Sequence, residues 1–168
     1  RHGLKGDDLV RSCELTRRVD QNTIQDGYNL YQQHFIISDE GEWAGISQGL
    51  NQGTRRARRY HWRSRTVRSF VSDPHVGIVG EPGQSIVNLV DARADDTRKH
   101  IVELTKENPQ EVLDAYRQAE IHMGDYHEVR NQDVNLKRLG AVLAIAHGDG
   151  EGVSQFEDLV MFKGVGPR

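Results

Sequence analysis

Two strand-like segments joined by a four-residue turn constrain the fold of this chain more than any other feature. Residues 28–38 and 43–50 have the composition of strands, and residues 39–42 (Asp-Glu-Gly-Glu) between them are typical of a hairpin turn. A helix is predicted ahead of this hairpin, over residues 8–19, because apolar residues recur there at helical spacing. Most of the helical pattern follows the strands rather than alternating with them, which indicates an α+β fold.

The rest of the chain is predicted to form a second, shorter hairpin and then helices. Residues 76–79 and 85–90 are expected to pair around Glu81-Pro82-Gly83. The predicted helices cover residues 91–107, residues 109–120 with Asn108 as N-cap, residues 135–147, and residues 154–162 opened by the capping box Ser154-Gln155-Phe156-Glu157. We therefore expect an α+β module over residues 1–92 and a helical region over residues 93–168.

Composition excludes several whole-chain classes. Charged residues make up 28% of the sequence and the net charge is −3, so disordered, collagen-like and coiled-coil chains are poor descriptions. The longest apolar run, residues 141–146, is far shorter than the roughly 20 residues that a membrane span requires. The single cysteine, Cys13, excludes an internal disulfide, and with no apolar leader at the start of the sequence a cytoplasmic location is expected.

Positive charge is concentrated in one segment. No acidic residue occurs from Trp43 to Ser72, and the rest of the chain carries −10 against the +7 of this segment. Its seven arginines are Arg55, Arg56, Arg58, Arg59, Arg63, Arg65 and Arg68. A near-neutral protein therefore contains a basic segment, a pattern that points to a polyanionic partner.

The densest part of this segment is predicted to be a short arginine-rich helix that begins at Thr54 and runs to Trp62. On a helix, Arg55, Arg58, Arg59 and Trp62 would share one face. Arginine forks bind phosphate, and aromatic rings stack on bases. The predicted nucleic-acid contacts are Arg55, Arg58, Arg59, Tyr60, Trp62 and Arg63. The alternative is a solvated face whose arginines pair with acidic residues elsewhere in the chain.

The C-terminal segment, residues 156–168, resembles the first helix and hairpin of a helix-hairpin-helix motif. Its glycines would let backbone N–H groups approach a DNA phosphate, which adds Lys163, Gly164 and Gly166 to the predicted contacts. The second helix of the motif is expected beyond Arg168, in a longer protein of which this chain is a piece. A helix C-cap explains the same glycines.

A set of polar residues around the first hairpin suggests a further possibility, because inward-facing polar positions break the apolar alternation of a plain core strand. The set comprises Asp20, Asp26, His34, Asp39, Gln48, Asn51 and His61. Carboxylates and imidazoles beside arginines are suited to a metal-dependent phosphodiesterase, with Asp20, Asp26, His34 and His61 as candidate catalytic residues and a divalent metal as a possible cofactor. A non-catalytic protein-interaction module is the remaining hypothesis.

Several strings of this sequence occur together, and in the same order, in one known family. They include Arg18-Val19-Asp20, Gln25-Asp26-Gly27-Tyr28, Thr54-Arg55, Ala57-Arg58-Arg59-Tyr60-His61-Trp62, Asp73-Pro74-His75 and Phe156-Glu157-Asp158-Leu159. On these strings the chain resembles the bacterial and archaeal domain-of-unknown-function family 763. The resemblance implies no activity, and it implies longer proteins with a complete helix-hairpin-helix. Gln33 departs from the His-His pair of relatives, which weakens a paired-histidine metal site.

Overall fold

The computed structural model describes residues 6–82, 86–123, 135–148 and 153–165. The chain divides into two compact units, with the boundary between Asp96 and Thr97. The first unit contains the strands and the second contains most of the helical residues, so the fold is α+β, as predicted. No helix in the described part is long and apolar enough to cross a membrane.

The first unit is built from one helix and two antiparallel sheets. Its elements are α1 (Gly6–Asn22), β1 (Ile24–Gln25), β2 (Asn29–Ile37), β3 (Trp43–Asn51), β4 (Arg56–Arg63), β5 (Gly77–Val79) and β6 (Val87–Asn88). The larger sheet has the strand order β2-β3-β4-β5, and β1 pairs with β6 in a two-stranded sheet. The predicted first helix and the predicted hairpin of β2 and β3 are thereby confirmed.

The prediction of an arginine-rich helix is wrong, because residues 56–63 form the strand β4. Arginine is a good helix former, and this intrinsic preference favoured the helix. Burial has period two instead: Tyr60 and Trp62 are buried, whereas Arg59 and Arg63 are exposed. Aromatic residues at alternating positions suit a half-buried strand, and pairing with both β3 and β5 overrides the helical preference.

The predicted second hairpin is also wrong. β5 pairs with β4, and β6 pairs with β1, so the two segments join different sheets. The chain passes close to β4 as it leaves β5, at Gly80. A Cβ added to Gly80 would lie 2.7 Å from the carbonyl oxygen of Ala57, and the φ of 121° at this residue also favours glycine. Sequence alternation alone identified these strands but not their partners.

The four-stranded sheet has two different faces. We call the side that packs on α1 the inner face; it carries Gln33, Phe35, Tyr60 and Trp62. The Gln33 side chain donates hydrogen bonds to α1, at 3.0 Å to the carbonyl oxygen of Cys13 and 2.8 Å to the hydroxyl of Thr16. Buried Leu15 and Val19 extend this core from the helix.

A β-bulge interrupts the pairing of β2 with β3. Leu30 lies opposite Gly49 and Gln32 lies opposite Gln48, so Tyr31 is an extra residue in β2. A bulge lets two successive residues share a face without reversing the strand that follows. Tyr31 and Gln32 are accordingly both exposed, and the inward positions of Gln33 and Phe35 are preserved.

The second unit is helical. Residues 92–94 form a 3-10 turn that leads into α2 (Asp95–Leu104), and the later helices are α3 (Pro109–Met123), α4 (Leu136–Gly148) and α5 (Phe156–Met161). The helices predicted at these places are confirmed, as is the N-cap role of Asn108, whose side chain accepts from the Gln110 amide at 2.9 Å. The capping box of α5 is closed by Asp158, not by Glu157.

Candidate functional site

Asp20 lies beneath the inner face in a fully buried hydrogen-bonded cluster. The indole Nε1 of Trp62 donates to Asp20 Oδ2 at 2.9 Å, and Nε2 of His75 lies 2.6 Å from Oδ1. Burial raises the pKa of Asp20, and the hydrogen bonds from His75 and Trp62 oppose that shift. The cluster ties α1, β4 and the segment before β5 together, and His75 was not anticipated from the sequence.

Asp26 forms a second buried cluster, in the loop between β1 and β2. Its Oδ2 accepts from the Tyr60 hydroxyl at 2.6 Å and from the Arg58 guanidinium at 2.8 Å, and its Oδ1 accepts from the Tyr28 amide at 3.2 Å. Burial and the Asp26 hydrogen bond raise the pKa of Tyr60 far above its ordinary value, so the phenol stays a donor. The Asp26 side chain is fully buried, and that of Arg58 is 11% exposed.

The four candidate catalytic residues are divided between the two faces of the sheet. Asp20 and Asp26 contact inner-face residues, whereas His34 and His61 stand on the opposite face, each across from Ile46 of β3. The sheet therefore separates Asp20 and Asp26 from His34 and His61, and the imidazole that Asp20 contacts is that of His75. Among the described residues, no group of three or more His, Cys, Asp and Glu side chains has a metal-binding arrangement.

The arginines of the basic segment fall into two groups. Three of them pair with carboxylates from outside the segment: Arg56 with Glu81, Arg58 with Asp26 and Arg65 with Glu42. Four are exposed and form no ion pair within the described part of the chain, namely Arg55, Arg59, Arg63 and Arg68. Three of the arginines predicted to bind a polyanion are thus neutralised by carboxylates of the chain, and four are left exposed to solvent.

Three of the predicted nucleic-acid contacts are unavailable to a ligand in this structure. Tyr60 and Trp62 are 0% and 2% exposed, and Arg58 is committed to Asp26. Arg59 and Arg63 lie on the other face of β4, and Arg55 precedes the strand with a positive φ of 54°. On the predicted helix, Arg55, Arg58, Arg59 and Trp62 would share one face. In the observed strand, Arg59 lies on the opposite face of the sheet from Arg58 and Trp62.

We call the side of the sheet opposite α1 the outer face. Its residues stand in three cross-strand rows: Gln32, Gln48, Arg59 and Val79; then His34, Ile46 and His61; then Ile36, Ala44 and Arg63. These rows contain no carboxylate, two arginines and two histidines. The outer face is consequently the basic, hydrogen-bonding side of the sheet.

Gln48 organises the first row. Its amide nitrogen donates to the Tyr31 hydroxyl, and its amide oxygen accepts from Arg59 Nε at 2.5 Å. The two Nη atoms of Arg59 have no hydrogen-bond partner in the described residues, so both remain available to an anion. Beside this row, Gln32 Nε2 lies 2.7 Å from His34 Nε2.

The third row borders an open groove of about 450 Å³. Ile36, Ala44, Ile46 and Val76 supply its apolar surface, and Arg63 and His61 line it as well. The rim also carries Glu40, Glu42 and Arg65. Hydrogen bonds from Ser64 and Arg65 lower the pKa of Glu42, so that carboxylate is already occupied by protein partners.

The predicted hairpin contacts lie in the second unit. Lys163 is exposed after α5, and Gly164 has a φ of 100° that favours glycine. The Gly164 carbonyl accepts from the Arg138 guanidinium at 3.0 Å, and a Cβ at Gly164 would lie 3.0 Å from Val142. Gly166 lies outside the described residues.

The sequence analysis did not identify the roles of two outer-face residues, Tyr31 and Gln48. Tyr31 was missed because the bulge that turns it outward leaves no regular alternation to detect. Gln48 was noted in the polar set, but its link to Arg59 depends on the register of β3 and β4. The polar positions of β2, Gln32 and His34, were expected to face inward, and this expectation is wrong, because both are exposed on the outer face.

Comparison with known proteins gives the family of the chain. No curated protein and no solved structure matches it. One family model, described as a protein of unknown function (DUF763), matches residues 1–168. The match spans every element described above, including both buried carboxylate clusters and the outer face, and the chain therefore belongs to the DUF763 family.

Proposed function

We propose that the first unit binds nucleic acid through the outer face of its four-stranded sheet. The observation that carries the proposal is the pair Arg59 and Arg63, both exposed, both without an ion pair among the described residues, on a face whose rows contain no carboxylate. An arginine held by its Nε presents the other two nitrogens as a fork that matches phosphate oxygens.

Neighbouring side chains supply the other contacts that a nucleic acid requires. Gln32, Gln48 and His34 carry donors and acceptors for sugars, phosphates and base edges, whereas Nε2 of His61 is buried. Tyr31 adds an exposed aromatic ring. The outer face therefore combines positive charge, hydrogen-bonding groups and a stacking surface within one sheet.

DNA is the nucleic acid to test first, because α5 together with the segment that follows it resembles the first half of a helix-hairpin-helix motif. The positive φ of Gly164 and the exposed Lys163 support a tight hairpin there. A second contact by this hairpin is a separate part of the proposal and does not depend on the outer face.

The test is fluorescence anisotropy with a labelled 20-nucleotide DNA strand and its duplex, titrated at several salt concentrations. The double variant R59Q/R63Q is compared with R56Q/R93Q, which removes the same charge from arginines that are already paired and lie outside the groove. We expect R59Q/R63Q to reduce the slope of log K against log salt by about 1.4–1.8, two phosphates' worth. The control should change it by less than half as much.

Two results would contradict the proposal. The first is an absence of binding by the unaltered protein at low salt, which would favour the protein-interaction hypothesis and an acidic protein partner for the arginines. The second is an equal loss in both double variants, since it would show that only net charge matters. The phosphodiesterase hypothesis is not advanced, because the sheet separates Asp20 and Asp26 from His34 and His61.

A further inference from the structure

We infer that the nucleic acid bound by the outer face is single-stranded, with one base stacked on Tyr31 and another seated in the groove beside Arg63. This inference rests on the proposed function and narrows its substrate class. Three independent features of the outer face carry it: its width, an exposed aromatic ring and a groove lined by apolar side chains.

The width of the sheet argues against a duplex groove. Four strands spaced as in any sheet span about 14 Å before side chains are added. A major groove about 12 Å wide admits a helix or a two-stranded ribbon, so a face of four paired strands does not enter it. A single strand has no such restriction, since it lies across the face with its bases turned toward the protein.

Tyr31 provides a surface that a paired base cannot use. Its side chain is 57% exposed, and its hydroxyl meets Gln48 of the neighbouring strand, so the ring extends over the outer face. The hydrogen bond to Gln48 holds the ring in one orientation, which lowers the entropy lost when a base stacks on it. Gln48 in turn connects the ring to the Arg59 fork, so a stacked base and its phosphate have adjacent contacts.

The groove offers a second place for an unpaired base. Ile36 and Val76 are 59% and 52% exposed on its walls, so their apolar surface is open to the face of a base. Its volume of about 450 Å³ accommodates a flat heteroaromatic base with part of its sugar. Arg63 at the edge stands where the attached phosphate would lie.

The charges around the groove are compatible with this occupant. Arg63 has no ion pair in the described residues, and Arg65 offsets Glu42. Glu40 is the remaining carboxylate on the rim; it follows the end of β2, beyond the three rows. An anionic chain crossing the rows therefore meets net positive charge, and only its end at the β2–β3 turn meets a negative one.

The experiment measures the affinity of the full chain for a 20-nucleotide strand and for the matching duplex. We expect the single strand to bind at least about tenfold more tightly. Tyr31→Ala should weaken single-strand binding about tenfold, and Tyr31→Phe, which keeps the ring, should retain most of it. Val76→Glu should weaken it to a similar extent, whereas Val10→Glu, an equally exposed valine on α1, should have a small effect.

The outcomes separate this inference from the proposed function. Duplex binding that equals or exceeds single-strand binding, and that R59Q/R63Q still weakens, overturns the inference while the proposed function stands. A single-strand preference that survives in both Y31A and V76E overturns the assignment of the ring and the groove. Failure of the unaltered protein to bind either form overturns the proposed function and this inference with it.

Discussion

Arg58 and Arg59 are consecutive residues of β4, and their guanidinium groups lie on opposite faces of one sheet. Arg58 reaches a buried carboxylate oxygen of Asp26 at 2.8 Å, whereas Arg59 is held on the open side by Gln48. The alternation of side chains along a strand is sufficient to produce this difference. Two residues of the same type and charge therefore have different surroundings: Arg58 is paired with a buried carboxylate, and Arg59 is exposed on the outer face.

Substitution of these two arginines should separate stability from binding. We expect Arg58→Gln to lower the free energy of unfolding by about 3–5 kcal/mol, because it leaves the buried Asp26 carboxylate without its cation. Arg59→Gln should change stability by less than about 0.5 kcal/mol and should lower the salt slope of DNA binding by about 0.7–0.9. Urea unfolding and anisotropy measure the two effects. Equal destabilisation by both variants would contradict the division.

The Asp26 cluster predicts a graded loss of stability. Asp26→Ala should cost about 3–5 kcal/mol, since Arg58 and the Tyr60 hydroxyl both lose their buried acceptor. Tyr60→Phe removes one donor only and should cost about 1–3 kcal/mol. Chemical denaturation of both variants, with DNA binding measured well below their unfolding midpoints, is the check. A Y60F variant less stable than D26A would show that the phenol, not the ion pair, dominates.

Asp20 predicts a pH dependence with a definite sign. Because burial raises the pKa of Asp20 in the folded protein, its contribution to stability is present at low pH and is lost as the pH rises through the folded pKa. Asp20→Asn cannot ionise, so the stability of the variant relative to the unaltered protein should improve as the pH is raised from about 4 to 7. Asp8→Asn, which removes an exposed carboxylate from α1, is the control.

The measurement is urea unfolding of each protein across that pH range. The relevant quantity is the difference in unfolding free energy between D20N and the unaltered protein. If the unaltered protein instead becomes more stable relative to D20N as the pH rises, the hydrogen bonds from His75 and Trp62 outweigh burial and the pKa of Asp20 is not raised.

Gly49 predicts a steric requirement in β3. A Cβ at this position would lie 2.9 Å from the Cβ of Tyr28, so Gly49→Ala should cost about 1–3 kcal/mol. Gly77 in β5 has nothing within 4 Å of an added Cβ, and Gly77→Ala should be neutral or stabilising by about 0.5 kcal/mol. Thermal unfolding compares the two. A neutral G49A would mean that the β1–β2 loop moves away without penalty.

We expect Gln48 to affect DNA binding indirectly, by positioning Arg59 and Tyr31. Gln48→Ala removes the acceptor of Arg59 Nε and the donor to Tyr31, so the orientation of both side chains is lost. We expect DNA affinity to fall about fivefold, the equivalent of one hydrogen bond of about 1 kcal/mol, with stability nearly unchanged. If Gln48 acts only by positioning Arg59 and Tyr31, Q48A should cause no further loss in the Y31A/R59Q background; a further loss there would contradict that route.

Local pattern predicted the elements better than it predicted their partners. The capping residue Asn108 and the turn at residues 39–42 are short-range signals, and the helix and hairpin that they mark are present. β4 was missed because its strand form depends on hydrogen-bond acceptors that are distant in sequence. Arg58 and Tyr60 donate to Asp26, and Trp62 donates to Asp20, over separations of 32 to 42 residues. No window of the sequence contains both ends of these contacts.

The site was predictable only in part, for a related reason. The basic segment and its lack of acids were visible in the sequence, and they drew attention to Arg59 and Arg63, which the structure leaves exposed. Whether an arginine is paired depends on partners such as Glu81 and Glu42 that lie outside the segment. A count of charges therefore overstates the available surface, and the strand register is needed to divide it between the faces.

Because of the bulge, the side chain at position 31 does not affect how β2 pairs with β3. The hydrogen-bond ladder runs from Leu30 to Gln32 opposite consecutive residues of β3, so it is complete without residue 31. Loss or exchange of that residue leaves Gln33 and Phe35 facing the core, because the phase of the strand is set on either side of it. A family built on this sheet can therefore change the aromatic group that it presents, or do without one, while the framework that folds around Asp20 and Asp26 stays the same.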